Sequence, residues 1–184
     1  MTEPLKGRLL VAAPTLLDPN FDRTVVLVLE HGDEGAVGLV LNRPTETEVD
    51  EPLPAWRWKA ASPPVVFVGG PVSQTAAIAL GRSSTSGTVS DGFAPLFAGL
   101  GTVDVARDPD AVGDVESVRV FAGYSGWGAG QLEDEIDEGA WIVVDADPTD
   151  ALSDDPDDLW RRVLRRQGGT TAWLANCPPD PTMN

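Results

Sequence analysis

The stretch Thr24-Val-Val-Leu-Val-Leu-Glu30-His31-Gly-Asp-Glu-Gly35-Ala-Val-Gly-Leu-Val-Leu-Asn42 decides the fold class. Residues 24–30 are β-branched and apolar without polar alternation, the pattern of a strand covered on both faces. Gly32-Asp-Glu-Gly35 is a tight-turn sequence, and residues 36–42 repeat the apolar run. The segment therefore predicts a buried β-hairpin ended by Pro44. Upstream, residues 7–13 read as a first strand stopped by Pro14. Asp18-Pro-Asn-Phe-Asp22 reads as a turn whose Phe21 anchors it in the core.

Downstream, residues 65–68, 101–106, 117–124 and 140–144 read as further strands, and 76–80 as a strand or a short helix. Residues 45–63 read as irregular or briefly helical, with Trp56 and Trp58 exposed for a partner in one reading. The Ser/Thr/Gly-rich residues 82–92 read as a mobile loop, and Ser125-Gly-Trp-Gly128 as a glycine-rich turn. Residues 108–113 carry a short helical start signal, and 131–138 predict an acidic helix. Residues 154–167 predict the best helix, with Leu159, Trp160, Val163 and Leu164 on one face and Gly168-Gly169 as its stop. Strands and helices mix without a regular βαβ rhythm, which predicts α+β rather than a doubly wound sheet.

The chain has 184 residues, enough for one domain with a real core, and a net charge of −16. That charge weighs against gripping nucleic-acid phosphates or an anionic membrane, both of which require Lys and Arg. Cys177 is the single cysteine, so neither an internal disulfide nor a cysteine-based zinc site is expected. The apolar run at residues 9–13 is too short for a signal peptide, and no run approaches the ~20 residues of a membrane span. A cytoplasmic location is the expectation.

Gly123-Tyr-Ser-Gly-Trp127 sits between a strand and a helix, as a nucleophile elbow would, but Trp127 stands where Gly-x-Ser-x-Gly requires glycine. A serine hydrolase would need Ser125 as nucleophile and His31, the sole histidine, as base, oriented by Asp33 or Glu30. The other reading is structural, with the glycines allowing close backbone approach. Glu30-His31-Gly-Asp33-Glu34 offers oxygens to a hard cation, but one His is too few for zinc, and no metal is expected. Arg161, Arg162, Arg165 and Arg166 form a basic helix end that suits the helix dipole and pairs such as Asp157–Arg161 and Asp158–Arg162. Gly69-Gly-Pro71 and Gly126-x-Gly128-x-Gly130 could present backbone N–H groups to an anion without matching a phosphate loop. Asn42-Arg43-Pro44 joins an amide and a guanidinium at a strand end, as a site or as a paired structural arginine.

In order, Gly7-Arg-Leu-Leu-Val-Ala-Ala-Pro14, Asp18-Pro-Asn-Phe-Asp-Arg23, Glu30-His31, Gly38-Leu-Val-Leu-Asn-Arg-Pro44, Gly69-Gly-Pro-Val72, Gly123-Tyr-Ser-Gly-Trp127, Gly130-Gln-Leu-Glu133, Trp141 and Leu159-Trp160 resemble the YqgE/AlgH family. The resemblance implies one α+β domain over 1–184, with a core at about 6–167 and a C-terminal tail at 168–184. It implies a bent, bifurcated β-sheet folded into a pseudo-barrel with packed helices. It carries over no catalytic residue and no cofactor. The polar positions it shares are Arg23, Glu30, His31, Asn42, Arg43, Tyr124, Ser125, Gln131 and Glu133, the candidate ligand-binding set. Where many members carry an Arg and, five residues on, a His, this chain has Ala76 and Gly81, so chemistry resting on that His is not expected. The reading is a bacterial protein that binds a small polar ligand or a protein partner, its site where Glu30-His31, Asn42-Arg43 and Tyr124-Ser125 converge. The alternatives are a Ser125–His31 hydrolase and a transcriptional regulator, as one branch of that family is named.

Overall fold

The computed structural model describes residues 4–84 and 92–177, so most of the expected 82–92 loop and the end of the tail lie outside the described residues. The strands are β1 (Leu9–Ala12), β2 (Val25–Gly32), β3 (Gly35–Val40), β4 (Pro44–Glu48), β5 (Val65–Val68), β6 (Val72–Ser83), β7 (Phe93–Phe97), β8 (Leu100–Val103), β9 (Val115–Gly128) and β10 (Trp141–Val144). The helices are α1 (Gln131–Asp137), α2 (Leu159–Gln167) and the short α3 (Gly169–Trp173).

The opening stretch forms the expected hairpin, with Gly32 paired to Gly35 across the Asp33-Glu34 loop. Its unbroken apolar sequence has a direct physical cause, because helices cover both faces. Leu27, Leu29, Leu39 and Leu41 pack with Leu159, Trp160, Val163 and Leu164 of α2. Val26, Val28 and Val40 pack on the opposite side with Leu132 of α1, Trp127 and Trp141. Burying each such side chain stabilises the fold by about 1.5–3 kcal/mol. Gly168, with φ +71°, ends α2 as expected.

The sheet runs β10–β1–β2–β3–β9–β6–β8–β7 and forks at β9. On one edge, Phe121 and Ala122 of β9 pair in parallel with Phe67 and Val68 of β5. On the same edge, Ser125 to Gly128 pair antiparallel with Gly38 to Gly35 of β3. The β4–β5 branch thus leaves the sheet where β3 joins it. Glycine permits the fork. A Cβ on Gly69 would lie 2.4 Å from the Gly123 carbonyl oxygen, and one on Gly123, at φ +75°, 2.6 Å from that of Gly70. The architecture is α+β with the bifurcated sheet expected; among the described residues β10 pairs only with β1 and β7 only with β8, so the bent sheet is not closed into a full barrel.

Two local expectations change. Residues 44–48, expected to end the hairpin and enter an irregular stretch, form strand β4, while 93–97, to which the sequence assigns no element, form β7. Ser125-Gly-Trp-Gly128 is the end of β9 and not a turn, because pairing with β3 outweighs the glycines' preference for turns. The ambiguous residues 76–80 belong to β6.

Candidate functional site

The expected convergence does not occur. Glu30 and His31 lie at the loop end of the β2–β3 hairpin, where His31 pairs with Ala36, while Asn42 and Arg43 follow its opposite end. Six residue steps of extended chain separate them, about 20 Å at ~3.3 Å per residue. Ser125 lies between, fully buried beside Gly38, and its Oγ donates to the Gly69 carbonyl at 3.1 Å. Without a turn at 125–128 there is no elbow to expose that hydroxyl. Tyr124 is partly buried against the larger core.

His31 is engaged at both nitrogens. Its Nδ1 accepts the Leu5 N–H at 3.0 Å, so Nε2 carries the proton and donates to Glu133 Oε1 at 2.5 Å. It therefore has no lone pair to offer Ser125. This bond, followed by a backbone hydrogen bond, holds the Glu133 carboxyl below its ordinary value, against a smaller effect of burial. The rest of α1 is stitched to the sheet in the same manner. Gly128 N–H donates to Gln131 Oε1 at 3.0 Å, and Gln131 Nε2 donates to Glu135 Oε2 at 3.0 Å. Glu135 Oε1 accepts the indole N–H of both Trp127 and Trp141, at 3.1 and 3.0 Å. Phe21 completes this aromatic corner, edge-on to Trp141 at 5.5 Å. Glu30, exposed, pairs with Lys6 at 3.4 Å. Among the described residues, no three His, Cys, Asp or Glu side chains are grouped to hold a metal.

The glycine motifs are occupied too: Gly69 N–H donates to the Ala122 carbonyl, and Gly128 N–H to Gln131. Neither presents an anion cradle through those groups.

At the other hairpin end, Asn42 is a splint. Its Nδ2 donates to the Arg23 carbonyl at 2.9 Å and its Oδ1 accepts the Val25 N–H at 3.0 Å. Arg23, at φ +55°, lays its guanidinium 4.1 Å from the centre of the Trp160 ring and donates to the Cys177 carbonyl at 3.2 Å. Burial, then Arg161, lowers its pKa. Arg43 differs from both. Its Nη2 donates to the Asp22 carbonyl at 2.5 Å, and no described carboxylate lies within 4 Å. Arg43, Asn20 and Gln74 line a cleft of about 280 Å³ whose apolar lining comes from Val40, Val68, Pro19, Pro44 and Pro71.

The helix-end arginines do not make the expected i,i+4 pairs, because Asp157 and Asp158 lie in a 3-10 turn that precedes α2. Instead Arg166 clasps Asp150 through two 2.9 Å bonds, Arg162 donates to Ser153 Oγ, and Arg165 approaches Asp158 at 3.9 Å. Trp56 is not exposed: it is buried, and its indole N–H donates to the Val105 and Arg107 carbonyls, whereas Trp58 is 84% exposed. The buried arginine that the sequence reading missed is Arg119. It donates to the Ala151, Ser153 and Ser62 carbonyls and stacks 4.3 Å from the Phe67 ring centre, and burial pulls its pKa down to about 10. Arg119 stands between Val118 and Val120, so local alternation places it on the face opposite theirs, and an arginine there does not mark that face as buried.

The sequence pattern described as AlgH-like matches residues 9–172. A UPF0301 protein of Streptomyces coelicolor is 50% identical over 192 residues, covering 100% of this chain and 98% of its own length. One from Thermobifida fusca is 49% identical, covering 98% and 96%. The crystal structure of protein DIP2367 from Corynebacterium diphtheriae superposes with a TM-score of 0.87 at 31% identity, covering 95% of this chain and 93% of that one. The solution structure of the AlgH protein from Pseudomonas aeruginosa gives 0.67 at 29%, covering 96% and 97%. Among the described residues, no helix is long and apolar enough to cross a membrane.

Proposed function

We propose that this chain, which belongs to the AlgH-like family, is a binding protein that takes a small polar ligand in the Arg43 cleft. One observation carries the reading. Arg43, Asn20 and Gln74 bring side-chain donors to a shared cleft, and the described residues supply no partner for the two amides and one carbonyl for the guanidinium. Three others of the candidate set close on the fold itself: His31 on Leu5 and Glu133, Asn42 on Arg23 and Val25, and Ser125 on Gly69. The walls are rigid, since three prolines with restricted backbone border the cleft. A volume near 280 Å³ suits a ligand at the small end of metabolite size.

The test is amide-detected NMR of the whole chain, titrated with a library of small polar compounds, neutral and charged. Saturable shifts of the Asn20 and Gln74 side-chain amides are expected for at least one compound, with the Gly128 amide unmoved. A library in which no compound moves the two side-chain amides overturns the reading.

A further inference from the structure

We infer that the ligand of the Arg43 cleft carries an oxyanion, a carboxylate or a phosphate, placed against the Arg43 guanidinium. This deepens the proposed function and rests on it. The chain has 29 acidic residues against 13 basic ones, and Arg8, Arg57, Arg107, Arg165 and Arg166 have carboxylates within 4 Å. In another arginine-lined cavity Arg166 is paired with Asp150 at 2.9 Å, and Arg162 donates to Ser153 Oγ. Among the described residues Arg23, Arg119 and Arg162 have no carboxylate within 4 Å either, but they lie against carbonyls, aromatic rings or a hydroxyl of the chain rather than in a cleft with free donors beside them. Arg43 lines its cleft without a carboxylate within 4 Å among the described residues.

The guanidinium has five N–H donors, and the Asp22 carbonyl takes one. That single contact orients the fork without neutralising it, which leaves paired donors for a planar carboxylate or a phosphate. The contact atoms are held in advance. Asp22 and Asn20 belong to one turn, in which Asp18 accepts the Asn20 N–H at 2.8 Å and the Asp22 N–H at 2.7 Å. Pro44 restrains the backbone immediately after Arg43. Less freedom is therefore lost on binding. Val40 and Val68 offer apolar contact to the body of the ligand, and the amides of Asn20 and Gln74 offer donors and acceptors to its other polar atoms. The net charge of −16 opposes an approaching anion, but salt screens that field over about 8 Å, so the direct contact decides the bound state.

The experiment titrates the intact chain with butyrate, with inorganic phosphate and with butyramide, the neutral counterpart of butyrate. Butyrate or phosphate is expected to shift the Asn20 and Gln74 amides at least tenfold more tightly than butyramide, and which of the two does so identifies the oxyanion. R43Q should weaken that anion at least tenfold, with R43K falling between, while the thermal melts of both variants confirm folding. N20A, which keeps the guanidinium, should weaken it less than R43Q. Equal affinity for butyramide and the anions, or R43Q binding that equals wild type, overturns the oxyanion and leaves the cleft standing as a site. Silence from all three probes overturns the oxyanion too, and only a silent neutral-and-charged library removes the proposed function with it.

Discussion

The two ends of the β2–β3 hairpin use polar side chains in opposite ways. At the loop end, His31 is saturated by Leu5 and Glu133, and Glu135 by two indoles and Gln131. At the far end, Asn42 is saturated too, but one residue later Arg43 makes a single contact to a carbonyl and faces a cleft. Both groups are polar and both are partly buried. What separates a structural residue from a candidate binding residue here is whether it keeps donors unused and also borders a cleft: Arg23 has a partnerless Nη2 but it is buried, away from the cleft lining. That criterion removes His31, Ser125, Asn42 and Gln131 from the expected ligand set and keeps Arg43.

The sharpest break in that comparison is Glu135→Ala. It strands the Trp127 and Trp141 N–H groups in a buried corner, and at about 1–3 kcal/mol for each orphaned donor the loss should be about 2–6 kcal/mol. The midpoint of urea unfolding, read at unchanged slope, measures it. A loss below about 1 kcal/mol would mean that packing alone holds α1.

His31→Phe keeps the ring's bulk and removes both of its hydrogen bonds. Stranding the Leu5 N–H should cost about 1–2 kcal/mol by the same measurement. Faster hydrogen exchange at Leu5 locates the effect.

Glu133→Gln is gentler, since an amide oxygen still accepts from Nε2. The fold lowers the Glu133 pKa, so between the lowered and the ordinary value the unfolded chain binds more protons than the folded one. The wild-type pair is therefore fully stabilising above the ordinary glutamate value and loses that contribution as pH falls through the lowered one. The variant should show a flatter acid limb in stability against pH and a change of less than about 1 kcal/mol at neutrality. An unchanged acid limb would detach Glu133 from His31.

The smallest stability effect belongs to Arg43→Gln, less than about 1 kcal/mol, because the partly buried side chain makes one contact, to a carbonyl. A larger loss in urea would return Arg43 to the structural group and erase the contrast between the hairpin ends.

Much of the frame is legible in the residues. The unbroken apolar runs announce a hairpin covered on both sides, and they are covered by α1 and α2. Leu159, Trp160, Val163 and Leu164 announce the buried face of α2, and Phe21 the anchor of its turn. The misplaced features have a common cause. Ser125 to Gly128 have turn composition yet lie in β9, since their strand conformation is stabilised by β3, about 90 residues earlier. Pro44 to Glu48 pair with β5 through only two registered positions, too irregular for a periodic signal. Arg119 reads as a surface cation until its acceptors arrive from Ser62, Ala151 and Ser153.

Local composition and periodicity therefore determined which segments are strands or helices and which faces are apolar, because backbone preference and burial act within a few residues. The family resemblance extended this to the forked α+β sheet. Only the tertiary structure decided which polar groups meet. Hydrogen bonds such as His31–Glu133 span 102 residues and Arg23–Cys177 spans 154, and such satisfaction is a property of spatial neighbours that local sequence does not encode. That is why His31, Ser125 and Asn42 close on the fold while Arg43 borders a cleft.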